Sequence, residues 1–158
     1  MRTSNLITLA LIAILSGCSG KEGQEGTQAA IASKLTLTPE AVLFEFKRAG
    51  IPISTEVIYT GETDTNHLLG RPHQYVAKAN WADSRLEQAP DGMIGGTVEI
   101  FSNAEDLQAR KQYVDEIGKA MPMLVQYQYQ KDLVLIRLDK ALSPGQAAEY
   151  EKALNAIN

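Results

Sequence analysis

Residues 125 to 138 leave the chain little choice of fold. Val125, Tyr127 and Tyr129 alternate with Gln126, Gln128 and Gln130, the period of two that puts successive side chains on opposite faces of a strand. The run Leu133-Val134-Leu135-Ile136-Arg137-Leu138 follows after only Lys131 and Asp132. A connection that short joins antiparallel neighbours. The near-continuous apolar run makes the second of the two a central strand, so the rest of the chain must supply further strands and their cover.

Three more strands are legible upstream. Ile53, Thr55, Val57 and Tyr59 alternate with Ser54 and Glu56 in a half-buried pattern. Tyr75, Ala77, Ala79 and Trp81 share one face of a second strand, opposite Val76, Lys78 and Asn80, and Thr97-Val98-Glu99-Ile100-Phe101 is a third. The polar segment 83–95, with the turn tripeptide Pro90-Asp91-Gly92, joins these two as a long-looped hairpin.

Helices are signalled by their ends. Thr38-Pro39 offers an N-cap and a proline at the first helical position ahead of Val42, Leu43 and Phe46, and Gly50 supplies the stop. Ser102-Asn103-Ala104-Glu105 has capping-box spacing. It opens a helix with Leu107, Val114, Ile117 and Met121 on one face, Arg110, Lys111, Asp115 and Glu116 mostly solvated, and Pro122 at its end. Ser143, Pro144 and Gln146 start a third, with Ala147, Tyr150, Leu154 and Ile157 as its buried stripe. The order is α-β-β-β-α-β-β-α. Hairpins outnumber βαβ units, so the expected fold is α+β: a mainly antiparallel five-stranded sheet with helices packed on one face.

The first residues are different material. Arg2 is followed by the apolar run from Leu6 to Leu15, short for a bilayer span but suited to the core of a signal peptide. It stops at Leu15-Ser16-Gly17-Cys18. This resembles the bacterial lipobox, in which a signal peptidase cuts before a cysteine that is lipidated. Cys18 is the only cysteine, so lipidation also gives a use to a thiol that has no disulfide partner within the chain. Several acyl chains on one residue anchor stably, since each buried methylene contributes about 0.8 kcal/mol. The implied organisation is a signal peptide over 1–17, a lipidated cysteine and flexible tether over 18–34, and one domain over 35–158. The tether, rich in Gly, Glu and Gln, has too few apolar residues to offset its ordering entropy and a typical reach of roughly 20 Å. Ser19 is not the aspartate that resembles an inner-membrane retention signal in Gram-negative lipoproteins, which points to the outer membrane, facing the periplasm.

Removing residues 1–17 takes away Arg2, and the formal charge of −4 becomes −5. That balance argues against nucleic acid, whose phosphates demand Lys and Arg patches. The densest specific chemistry is the loop at 62–75, where Asp64, Asn66, His67, His73, Arg71 and Tyr75 gather around a Gly-Arg-Pro turn. Two roles fit Arg71: a planar anion clamp for a ligand, or an ion pair with Asp64 or Asp83 that pins the loop, the commoner use of such groups. Asp64, Asn66, His67 and Asp83 are metal ligands by type, but Asp-x-Asn is only a fragment of a calcium loop, so no metal or cofactor is expected. The histidines stand near no recognisable nucleophile motif. Tyr127, Tyr129 and Trp81 make a binding platform or the core side of the sheet, and in the second case Gln126, Gln128 and Gln130 lie on an open sheet face that could receive a partner.

The segment Thr63-Asp64-Thr65-Asn66-His67-Leu68-Leu69-Gly70-Arg71-Pro72, followed by Tyr75, Lys78, Asp83, Arg85, Gly95-Gly96-Thr97 and Leu142-Ser143-Pro144-Gly145-Gln146-Ala147, resembles a family of small bacterial lipoproteins of unknown function. That resemblance implies an envelope lipoprotein domain and assigns no activity. A looser similarity to envelope-assembly lipoproteins and lactamase-inhibitor-like domains rests on the Gly-x-Pro turn alone. The expected function is a non-catalytic binding module for an envelope protein or small ligand, with Asp64, Asn66, His67, Arg71, Tyr75 and Asp83 as candidate contacts. The alternative is a small hydrolase using the 62–75 loop.

Overall fold

The computed structural model describes residues 37–88 and 93–157. The signal-like segment, Cys18, the tether and the Pro90-Asp91-Gly92 turn lie outside the described residues. Strands β1 (Ile53–Ile58), β2 (Ala77–Asp83), β3 (Gly95–Ile100), β4 (Gln126–Lys131) and β5 (Val134–Asp139) form one sheet in the order β1-β2-β3-β5-β4. Every neighbouring pair is antiparallel. With helices α1 (Pro39–Arg48), α2 (Ala104–Ala120) and α3 (Pro144–Ala156), the order is the α-β-β-β-α-β-β-α expected of this α+β fold.

The main core lies between one sheet face and helices α1 and α3. Ala79, Trp81, Val98, Ile136 and Leu138 meet Val42, Phe46, Tyr150 and Leu154 there. Phe46 packs edge-on against Trp81 and Tyr150, with ring centroids 5.6 and 5.2 Å apart. Burying Trp81 also buries its N–H, which donates to the Tyr150 hydroxyl at 3.0 Å; that hydroxyl donates in turn to Asp83 at 2.9 Å. Tyr127 and Tyr129 pack against this same core, so they are core-facing residues and no open platform.

Helix α2 corrects the expected one-sided cover. Its Leu107 joins Leu135, Tyr75 and Phe101 in a second cluster, and Leu135 has the opposite parity along β5 from Val134 and Ile136. Helices therefore cover both sheet faces: α1 and α3 one, α2 the other. The apolar run in β5 needs exactly this, since both of its faces are buried. The glutamine face of β4 is consequently partly covered by α2: Gln128 donates to Asp115 and Gln108 donates to Gln130 at 2.9 Å.

Local signals shifted by a residue or two. The N-cap of α2 is Asn103, one residue beyond the expected Ser102; its side chain accepts from the Asp106 N–H at 2.9 Å and donates to the Asp106 carboxylate at 2.7 Å. Tyr75 precedes β2 and turns into the second cluster, away from the Trp81 face where alternation had placed it. In β1 the half-buried pattern fails: only Ile53 packs against the core, and a register irregularity lies between Ile53 and Thr55 at this sheet edge. No helix among the described residues is long and apolar enough to cross a membrane.

Gly95-Gly96 is required by Trp81. Gly96 pairs directly with Trp81 across the β2–β3 ladder, and a Cβ on Gly96 would come within 2.2 Å of the indole ring. The ring is fully buried and cannot swing aside. Gly96→Ala is expected to lower stability by about 1–3 kcal/mol through overpacking; an unchanged denaturation midpoint would contradict the Trp81 packing described here.

Candidate functional site

Two buried carboxylates on the α2 side of the sheet hold this region together. The first is Asp64, around which the 62–75 loop is wound. Its Oδ1 accepts from Lys78 Nζ at 2.7 Å and from the Asn66 N–H at 3.3 Å. Its Oδ2 accepts from the Tyr75 hydroxyl at 2.7 Å and from the Leu68 and Leu69 N–H groups at 3.0 and 3.1 Å. A carboxylate is the one side chain able to take so many donors. To bring successive N–H groups inward the backbone turns left-handed at His67 (φ 53°) and Gly70 (φ 76°); histidine is among the residues that visit this region more readily.

Burial alone would raise the Asp64 pKa. The Lys78 ammonium, the Tyr75 hydroxyl and the Leu68 and Leu69 amides reverse that and hold the carboxyl well below the usual carboxylate range. Lys78 is itself buried and lies 4.5 Å from the centroid of the Tyr59 ring, a cation–π contact that adds to its pairing. Burial, and then the hydrogen bond to Asp64, push the Tyr75 phenol above its ordinary value.

The second carboxylate is Glu99, the direct cross-strand neighbour of Lys78. Arg110 reaches it from α2 and Arg137 from β5, each with Nε and Nη2: 3.2 and 2.9 Å for Arg110, 3.3 and 2.8 Å for Arg137. Each guanidinium meets the carboxylate as a two-pronged fork. Burial opposes ionisation of Glu99, and Arg137 and then Arg110 outweigh it, so its pKa is lowered. Arg110 was expected on the solvated side of its helix, but its side chain is only 10% exposed. The signal was in the spacing, since Arg110 stands three residues after Leu107 and four before Val114 on the buried stripe.

The site residues read from the sequence divide. Asp64 and Tyr75 are brought together, as the loop's internal support. Asn66 and His67 are exposed on its rim. Arg71 is exposed and its side chain makes no ion pair among the described residues; the expected pairing with Asp64 or Asp83 fails because Lys78 occupies the first and Arg85 the second. Asp83 does not belong here at all. It ends β2, on the opposite sheet face from Lys78, where it accepts from Arg85 and Tyr150 and ties α3 to the sheet. Every donor to Asp64 comes from within the loop and β2, while His67 and Arg71 are exposed.

A feature that sequence reasoning missed lies beside this network. The α2 helix ends at Ala120 with Met121 as its C-cap, and a 3₁₀ turn (Pro122–Leu124) leads into β4. Met121, Pro122, Met123, Leu124 and Val125 are all exposed, Met123 by 74%. Met123, Leu124 and Val125, with Tyr113, also exposed, edge a groove of about 490 Å³ whose walls include Ile117, Arg110, Arg137 and Asp139. Asn66 and Leu68 close it from the loop side. Single exposed apolar residues are ordinary, but here five stand in succession, three of them lining the groove. The signal available in the sequence was an apolar run between a helix stop and a strand, with no periodicity to bury it.

Asp64 and Glu99 thus set the groove's geometry, one fixing the Leu68 edge and the other the arginine wall. Among the described residues no three His, Cys, Asp or Glu side chains gather as a metal-binding group would. No protein-family model matches the chain, and no curated protein or solved structure resembles it at a significant level.

Proposed function

We infer that this chain is a lipid-anchored module of the bacterial cell envelope, tethered through acylated Cys18 and facing the periplasm from the outer membrane, that binds a partner or small ligand without catalysing a reaction on it. The observation that carries the binding part is the groove, with its exposed apolar edge formed by Met123, Leu124 and Val125 and its arginine wall held by a buried glutamate. Rigid support below and exposed hydrocarbon above is the arrangement of a binding surface. The 62–75 loop serves it as a scaffold, contributing Asn66 and Leu68 to the rim. Asp64 is a poor candidate for a general base, since its lone pairs are engaged by internal donors and its proton affinity is low. The lipobox-like Leu15-Ser16-Gly17-Cys18 and the single cysteine support the anchor.

The anchor and the surface are tested separately. Cys18→Ala is expected to leave unprocessed precursor and abolish incorporation of labelled fatty acid; continued labelling would remove Cys18 from the account. For the surface, the double variant Met123→Asp with Leu124→Asp is expected to melt as the wild type does while losing whatever the wild type retains from envelope extracts. Undiminished retention by that variant would move the binding surface elsewhere.

A further inference from the structure

We propose that the groove takes an anionic single-chain lipid, its carboxylate head against Arg110 and Arg137 and its hydrocarbon tail along Ile117, Met123, Leu124 and Val125. This deepens the binding reading above and rests on it. The argument begins from unspent donors. A guanidinium has five N–H groups. Arg110 uses two of them on Glu99, and Arg137 uses two on Glu99 and one on Gln126. Three N–H groups of Arg110 and two of Arg137 therefore make no hydrogen bond among the described residues, though the Arg110 guanidinium also lies 5.7 and 5.6 Å from the Tyr75 and Tyr113 ring centroids. The side chains are only 10% and 11% exposed, and both line the groove.

Two guanidinium ions share the one carboxylate in direct contact with them, which leaves each able to take a further anion from the groove. Asp139 also lines the groove, where its Oδ1 accepts the Ala141 N–H at 2.7 Å. A carboxylate or phosphate matches the planar fork of arginine.

The remainder of the wall selects the body of the ligand. Val114, Ile117, Met123, Leu124 and Val125 present hydrocarbon and thioether only, while Asn66, Tyr113 and Gln126 add polar groups elsewhere in the lining; the amides of a peptide lying along the apolar residues would find no side-chain partner there, and each needs one when buried. An alkyl chain has no such need. Flexible methionine suits a ligand of loose shape, and about 490 Å³ lies within the range of small-molecule sites.

The test uses a chain beginning at Ser19, which contains the whole compact unit from Leu37 onward, titrated below the micellar concentration with dodecanoate, with dodecanol, and with an acetylated apolar tetrapeptide bearing a free carboxylate. Amide shifts are expected around Tyr113, Ile117 and residues 123–126, with dodecanoate at least tenfold tighter than dodecanol or the peptide. Met123→Asp with Leu124→Asp should weaken dodecanoate tenfold or more at an unchanged melting temperature. Equal affinity for dodecanoate and dodecanol, shifts confined to another surface, tighter binding of the peptide, or no saturable binding of dodecanoate would each overturn the proposal. Should dodecanoate fail while the groove still retains a protein from envelope extracts, the lipid assignment falls and the binding module stands; if both fail, so does the module.

Discussion

Replacing Asp64 with alanine is expected to cost about 3–5 kcal/mol, because it strands a buried Lys78 ammonium together with several N–H donors that have no other acceptor. Natural domains carry only about 5–15 kcal/mol of stability, so the variant should sit near the edge of folding and melt on the order of 10–20 °C lower. Asp64→Asn keeps an acceptor but not the charge, and should fall between wild type and alanine. Chemical denaturation of the three proteins checks the order. A loss below about 1 kcal/mol for the alanine variant, the size expected of a surface ion pair, would mean that the loop is not built on Asp64.

Removing Glu99 should be as severe for a different reason. Glu99→Ala leaves two guanidinium ions facing each other at 10% and 11% exposure with no carboxylate between them, and breaking a buried ion group by deleting one member typically costs about 3–5 kcal/mol. The same principle says that the whole group is dispensable for stability when replaced by apolar residues of similar volume. Glu99→Leu combined with Arg110→Met and Arg137→Met should therefore recover most of what Glu99→Ala loses, while removing the cations from the groove wall. A triple variant as unstable as the single one would show that the network does more than satisfy its own charges.

Acid should reproduce part of both effects. Asp64, Asp83 and Glu99 all have folded-state pKa values below their ordinary ones. Carboxylates of this kind contribute stability that is fully present above the unfolded-state values, about 3.9 for Asp and 4.3 for Glu, and lost as pH falls through the lower folded-state values. Stability should accordingly be level near neutrality and decline progressively below about pH 4. The decline should be shallower in Asp64→Asn, which has already lost one such group.

The architecture was legible because its elements are announced locally. Thr38-Pro39 and Ser143-Pro144 cap helices just where expected, and the short connection between β4 and β5, Asp132 and Leu133, makes the two strands antiparallel neighbours. What local signals do not carry is which sheet face a helix crosses to. The one clue to α2 was that β5 is apolar at both parities, and helices on a single face cannot bury both. The loop was found as a location but misread in its bonding: Arg71 is close to Asp64 in sequence, whereas the residue that pairs with Asp64 is Lys78, near the start of β2. Strand alternation did place Lys78 opposite Trp81, the face on which Asp64 waits. The groove went unnoticed because Met121, Met123, Leu124 and Val125 look like core residues until their exposure is known.

We propose that the face built on Asp64 and Glu99 is the one that meets another molecule. Photo-cross-linking in intact cells tests it most directly, with benzoylphenylalanine placed at Leu124 on the groove edge and, as a control, at Phe44, which is equally apolar, 63% exposed, and carried by α1 on the far side of the sheet. Adducts from position 124, lost when Arg110 and Arg137 are neutralised in the stability-restored triple variant, with none from position 44, are the predicted result. Adducts from position 44 and none from 124 would contradict the account.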